Sequence, residues 1–116
     1  MNDRNTSSSD YYAAVLMFET SSDASDYKPL YSEEIMLIKA PSEEQARASA
    51  KTCAKGQETS YQNEYGETIQ VMFKALVDVQ LMQFKPSHGV TVYCRHFRNY
   101  AEYEAFEPLA TVRSHL

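Results

Sequence analysis

Residues 67–84 read ETIQVMFKALVDVQLMQF, and the fold follows from how they alternate. The odd positions Ile69, Val71, Phe73, Ala75, Val77, Val79 and Leu81 are all apolar. The even positions carry Gln70, Lys74, Asp78 and Gln80, with Met72, Leu76, Met82 and Phe84 among them. A period of two sustained over this length predicts a long β-strand with one face in a core. Neither Gly nor Pro interrupts it, although a bulge near Lys74 is expected to divide it.

Downstream, KPSHG at 85–89 reads as a turn and VTVYCRHFR at 90–98 as a fourth strand. A four-residue hairpin loop at 86–89 sets Leu81 opposite Cys94, Gln80 opposite Arg95 and Val79 opposite His96. Val90, Val92, Cys94 and His96 then face the core. Tyr93, Arg95 and Phe97 face the other way with Asp78, Gln80 and Met82. In this register Asp78 and Arg95 are diagonal neighbours and form a cross-strand ion pair. Asn99 followed by Glu102 is a capping box, opening a short helix that runs through Phe106 and ends before Pro108.

Upstream, QETSYQNEYG at 57–66 reads as a polar loop. The clearest helix spans 40–56. Ser42 is its N-cap with Gln45 three residues on, Glu43 and Glu44 open it, Lys55 closes it and Gly56 is its stop. Its apolar stripe is Ala46, Ala50, Cys53 and Ala54, all small, so the helix can lie close to a sheet. Two strands precede it, at 11–19 and 30–39, each apolar on both faces and joined by a turn-rich loop short enough for an antiparallel hairpin. The fold class is therefore α+β: a four-stranded, mainly antiparallel sheet in the order β-β-α-β-β. One main helix covers one face, and a short C-terminal helix comes after the sheet. Residues 1–10 are expected to be a disordered tail, 11–107 a single domain and 108–116 a C-terminal tail.

The chain has 116 residues, enough for one core. Its net charge of −5 argues against a general nucleic-acid or anionic-membrane binder, which would present a basic surface. No apolar run approaches a membrane span and no signal peptide is visible, so a cytoplasmic location is expected. The two cysteines form no CxxC and are expected to be buried free thiols. Nine tyrosines and five phenylalanines without a tryptophan suit surfaces that are part buried and part wet.

Three segments in this order resemble a family of small bacterial proteins known only as a domain of unknown function, the DUF4288-like class. They are Tyr12-Ala13-Ala14-Val15-Leu16-Met17-Phe18-Glu19; Glu34-Ile35-Met36-Leu37-Ile38-Lys39-Ala40 running into Ser42-Glu43-Glu44-Gln45-Ala46; and Ser60-Tyr61-Gln62-Asn63-Glu64-Tyr65-Gly66-Glu67, with Val77-Asp78-Val79 after it. The resemblance covers 11–97. Phe73 departs from it where the family is expected to carry Trp, and the chain after Arg98 lies outside it. It implies a bacterial, intracellular, single-domain protein and brings no mechanism.

Chemistry-bearing residues are sparse. His88, His96 and His115 are too scattered for a metal site, and no HxH or HxxxH spacing exists. Cys94 and His96 on one strand face would stand about 7 Å apart at Cβ, too far for a nucleophile and its base. Three glycines build no phosphate-cradling loop. No catalytic residue, metal or cofactor is assigned.

The candidate binding residues are Tyr61, Asn63 and Tyr65 in the polar loop, where Tyr and Asn pair rigid aromatic area with adaptable hydrogen bonding. Asp78, Tyr93, Arg95 and Phe97 join them on the second sheet face. The function expected is a non-enzymatic protein-interaction module, in its specific form an acidic inhibitor of immunity type acting on a basic partner. The alternative is a small enzyme with Arg95, His96 and Asp78 in a site formed across a homodimer interface. The main helix shields one sheet face only, so a homodimer through the second face is expected. The competing account has the C-terminal helix covering part of that face.

Overall fold

The computed structural model describes residues 9–107. The elements are β1 (Asp10–Ser22), β2 (Leu30–Ala40), α1 (Glu43–Gly56), β3 (Thr59–Gln62), β4 (Thr68–Leu81) and α2 (Tyr100–Phe106). The strands form one antiparallel sheet in the order β2-β1-β4-β3. The α+β class stands, with a four-stranded sheet, one main helix and a short C-terminal helix.

The alternation in 67–84 becomes β4, but with two bulges. Against β1 the register skips Lys74 and Val77: Leu16 pairs with Leu76, Val15 with Asp78, and Phe18 with Phe73. The bulge expected near Lys74 is there, and the second lies three residues on. Each adds one residue and so inverts the facing of the residues beyond it; two restore it. Ile69, Val71, Phe73 and Val79 therefore share the helix face, while between the bulges Leu76 takes the inward place. Val77, expected in the core, is 49% exposed, and Leu81 beyond it is also exposed.

α1 forms as its caps dictate. The Ser42 hydroxyl accepts the Gln45 N–H at 3.1 Å, and Glu43 pairs with Arg47 one turn on at 3.1 Å. The helix runs through Gly56, and Gln57 is its C-cap with right-handed backbone, so Gly56 is the last helical residue rather than the stop beyond it. Ala46, Ala50 and Ala54 are the buried residues of α1. They pack on Tyr12, Ala14, Leu16 and Phe18 of β1, with Ile38, Ala40 and Val79 beside them. Three alanines make a narrow seam. Cys53 sits at its margin and stays exposed, as does Cys94, so neither thiol is the buried one expected. The Phe18 ring, buried in the cluster, meets the half-buried Phe73 ring at 6.0 Å and 60°.

Two segments depart from the sequence reading. Thr59–Gln62, read as loop, pairs with Thr68–Val71 as β3. Residues 90–98, read as the fourth strand, carry no strand at all. Met82 N–H donates to the Tyr11 carbonyl at 2.8 Å, and the chain then turns away from the edge of β4. It is gathered instead by side chains of the second face. Asp78 and Gln80 stand opposite Val15 and Ala13, and Glu33 of β2 stands opposite Met17, so all three share that face. Tyr93 reaches Asp78, Cys94 reaches Gln80, and Arg95 reaches Glu33. The segment thus crosses from β4 over β1 to β2.

The physical reason is coverage. Val15 and Ala13 on this face are buried, as is Met82 where the crossing begins. Burying a valine is worth about 1.5–3 kcal/mol, whereas an edge pairing would leave it wet. The two bulges also bend the edge that a fourth strand would have used. Val92, Cys94 and His96, expected to face the core, are exposed. α2 forms with Asn99 as N-cap, its side-chain oxygen accepting the Glu102 N–H at 3.2 Å. Among the described residues no strand and no part of α1 packs against it. The crossing segment, rather than α2, closes the centre of the second face. The expected N-terminal tail falls largely outside the described residues, as does Pro108, expected to end α2.

Candidate functional site

The sequence-derived site residues separate into two places. Tyr61, Asn63 and Tyr65 belong to the β3–β4 hairpin. Asn63 is engaged within the turn: its side-chain oxygen accepts the N–H groups of Tyr65 (2.9 Å) and Glu67 (3.0 Å), and its Nδ2 donates to the Glu67 carboxylate at 2.8 Å. Gly66 adopts φ 78°, which lets the turn close. Tyr61 and Tyr65 project into solvent, Tyr65 with 78% of its surface exposed.

Asp78, Tyr93, Arg95 and Phe97 gather on the second face. The Tyr93 hydroxyl donates to Asp78 Oδ2 at 2.9 Å. Burial raises the Tyr93 pKa above the usual phenol value; the Asp78 hydrogen bond and charge raise it further, against a smaller opposing effect of Arg95. Gln80 clamps the Cys94 backbone from both sides, its Oε1 accepting the N–H at 2.9 Å and its Nε2 donating to the carbonyl at 2.7 Å. One carboxamide stands in for a neighbouring peptide group, which is how the register 80/94 replaces 80/95. The expected Asp78–Arg95 pair does not form. Asp78 takes Tyr93, and Arg95 Nη2 lies 3.5 Å from Glu33 Oε2 at an exposed position. His96 turns to Cys94, with Nε2 3.9 Å from Sγ on the surface, closer than strand spacing had allowed because this segment is not a strand. The three residues of the enzyme alternative thus point to three different partners.

Beyond Arg95 the chain builds an aromatic stack. Phe97 and Tyr103 lie parallel at 5.0 Å between centroids, and Tyr103 and Tyr100 come next at 5.9 Å. Phe106 extends the row, has no ring partner among the described residues and is 80% exposed. Between this stack and Glu33 of β2 runs an open groove of about 520 Å³, bordered also by Arg95, Asn99, Glu102 and Glu107. Its floor is aromatic. Glu33 and Glu102 stand on its rim, and Arg95 is held to Glu33.

Of the groove, Arg95 and Phe97 were in the sequence-derived set, and Glu33, Tyr103 and Phe106 were not. A signal was available: Phe97, Tyr100, Tyr103 and Phe106 recur every third residue, the spacing of one face across a helix start. Glu33 carried no such signal, because only the crossing segment brings it to the groove. A second hollow of about 610 Å³ lies where the chain leaves β4, bordered by Leu81, Phe84, His88 and Val92 among others. Among the described residues no helix is long and apolar enough to cross a membrane.

A family model described as a domain of unknown function (DUF4288) matches residues 11–94. No curated protein and no solved structure matches. The match takes in the whole sheet and α1 and stops at Cys94, so the aromatic stack lies beyond it.

Proposed function

We propose that this chain, which belongs to the DUF4288 family, acts by binding a segment of another protein in the groove between α2 and Glu33 of β2. One observation carries the reading. Tyr100 and Tyr103, stacked with each other and with Phe97, stand on a helix that, among the described residues, no strand and no part of α1 packs against. Ordered aromatic surface with polar tips is the material of interface centres, and Tyr and Arg are enriched among residues that dominate binding.

The groove also selects a chemistry. Its rim carries Glu33 and Glu102, and the whole chain is net −5. The fitting segment has an apolar residue to lie on Tyr103 and Phe106 and a cationic residue for Glu102. This is the acidic-inhibitor form of an interaction module: a basic partner is steered in by charge and held by aromatic contact.

A random-peptide display library screened against the immobilised chain tests it. Selected peptides should combine Lys or Arg with apolar residues and should lose at least tenfold in affinity for Tyr103→Ala/Phe106→Ala. Those two side chains bury nothing in α1 or the sheet, so the variant should melt with the wild type. Selected peptides that bind this variant unchanged would refute the groove.

A further inference from the structure

We infer that two copies of this chain join edge to edge along β2, in antiparallel register about Met36, giving one continuous eight-stranded sheet. Among the described residues β2 lies at the end of the sheet, with β1 on one side and no strand on the other. It is 11 residues long, and every residue from Leu30 to Ile35 is exposed. Natural edges of this length are normally shortened, bulged, or covered, because their free N–H and C=O groups template pairing. Among the described residues β2 shows none of these devices. Its pairing with β1 runs without a register shift from end to end.

The side chains say what fits there. Glu33, Ile35, Leu37 and Lys39 share the second face, opposite Met17, Val15, Ala13 and Tyr11 of β1. Ile35 and Leu37 are 52% and 53% exposed, just outside the reach of the crossing segment. A two-fold axis normal to the sheet keeps this face on the same side in both copies. Directly opposed residues must then have the same parity, so only alternate registers are allowed.

Charge picks one of them. Centred on Met36, Glu33 meets Lys39 of the second copy on both sides of the axis, and Ile35 meets Leu37. Centred on Ile35, Glu33 falls opposite Leu37; centred at 33 or 34, two glutamates face each other. Like charges directly opposed are destabilising and opposite charges favourable. The charges that would otherwise guard this edge are thus self-complementary in a single register.

The contacts these two groups already make leave them open to solvent and to a second copy. Arg95 shares Glu33 only at 3.5 Å in an exposed pair, and Lys39 rests over its own Tyr11 ring at 5.5 Å. Since the centre of the second face is closed by residues of the same chain, the contact belongs at its β2 margin rather than across the whole face. The inference does not depend on the groove binding a peptide, although Glu33 borders both.

Charge-swapped variants decide it by sedimentation equilibrium from 1 to 200 μM at low salt, concentrations chosen on the order of ordinary protein affinities. The wild type should approach twice its 13.3 kDa mass. Glu33→Lys and Lys39→Glu should each sediment as monomer, and an equimolar mixture of the two should dimerise again. Both variants remain net negative, so general attraction between them cannot produce that result. The double variant carrying both changes should dimerise like the wild type. A monomeric wild type, or single variants that dimerise as well as it does, or a mixture that stays monomeric, would overturn the proposal. Circular dichroism on each variant checks that the sheet is intact.

Discussion

Replacing Gln80 with Ala removes both hydrogen bonds that hold the Cys94 peptide group to the second face. A typical intramolecular hydrogen bond is worth a net 0.5–1.5 kcal/mol, so the pair contributes about 1–2 kcal/mol once surface exposure is allowed for. The loss falls mainly on local opening of residues 90–98, because water can reach the freed groups and Tyr93 still holds Asp78. In hydrogen-exchange terms, the Cys94 amide should lose roughly 5- to 30-fold of its protection. Global stability in urea should fall by only about 1 kcal/mol. Adding Tyr93→Phe removes the second anchor. The segment should then lift from Val15 and Ala13, and the combined loss should exceed the sum of the single ones, because each anchor alone still holds the segment down; coupling of this kind is what non-additivity measures. A Cys94 amide that exchanges at the same rate in wild type and Gln80→Ala would show that the segment is held by something other than this clamp.

The two bulges of β4 make a prediction that simple alternation reverses: Val77→Asp should change stability by less than about 1 kcal/mol, whereas Leu76→Asp should cost several by placing a charge beneath α1. Urea melts of the two variants check it. Phe18→Ala should cost about 3–5 kcal/mol, since it opens a cavity beneath the helix and ends the contact with Phe73. Calorimetry reads this as a fall in Tm of well over ten degrees. Alkaline titration tests the two perturbed phenols. Burial raises the pKa of Tyr12, with Asp10 and Glu43 adding to it, and burial and Asp78 raise that of Tyr93. A raised folded-state pKa means that the unfolded chain loses the proton first. Both tyrosines therefore give stability that is present below pH 10 and lost as pH climbs through their folded values. Tyr12→Phe and Tyr93→Phe should each flatten the fall in stability above pH 10.

The features legible in the sequence are those that local rules govern. Ser42 and Asn99 accept N–H groups three residues on, so both helices begin where their caps say. β1 is apolar on both faces because it is central, with α1 over Leu16 and the crossing segment over Val15. The same pattern in β2 misled, since Ile35 and Leu37 lie on an edge and remain open to solvent. Residues 90–98 alternate like a strand, yet their environment is set by Asp78, Gln80 and Glu33, each at least a dozen residues from the residue it holds. No periodicity encodes a side-chain carboxamide that replaces a backbone partner. Of the candidate site, Asp78, Tyr93 and Arg95 do come near one another, but as Tyr93–Asp78 and Arg95–Glu33 contacts rather than the expected Asp78–Arg95 pair. Glu33 was not legible, because a long-range crossing brings it there. The aromatic repeat from Phe97 to Phe106 is visible in the sequence, but nothing local says what it faces: the competing account had the C-terminal helix cover part of the sheet, and among the described residues that helix packs against no strand.

Whether the groove beside α2 binds a peptide is decided by a heteronuclear NMR titration with a library-selected basic peptide. Saturable shift changes are expected at Glu33, Arg95, Phe97, Tyr103 and Phe106, with the β3–β4 hairpin at rest. Shift changes centred instead on Tyr61, Asn63 and Tyr65, with those groove residues unmoved, would move the binding site to the hairpin and end the case for the groove.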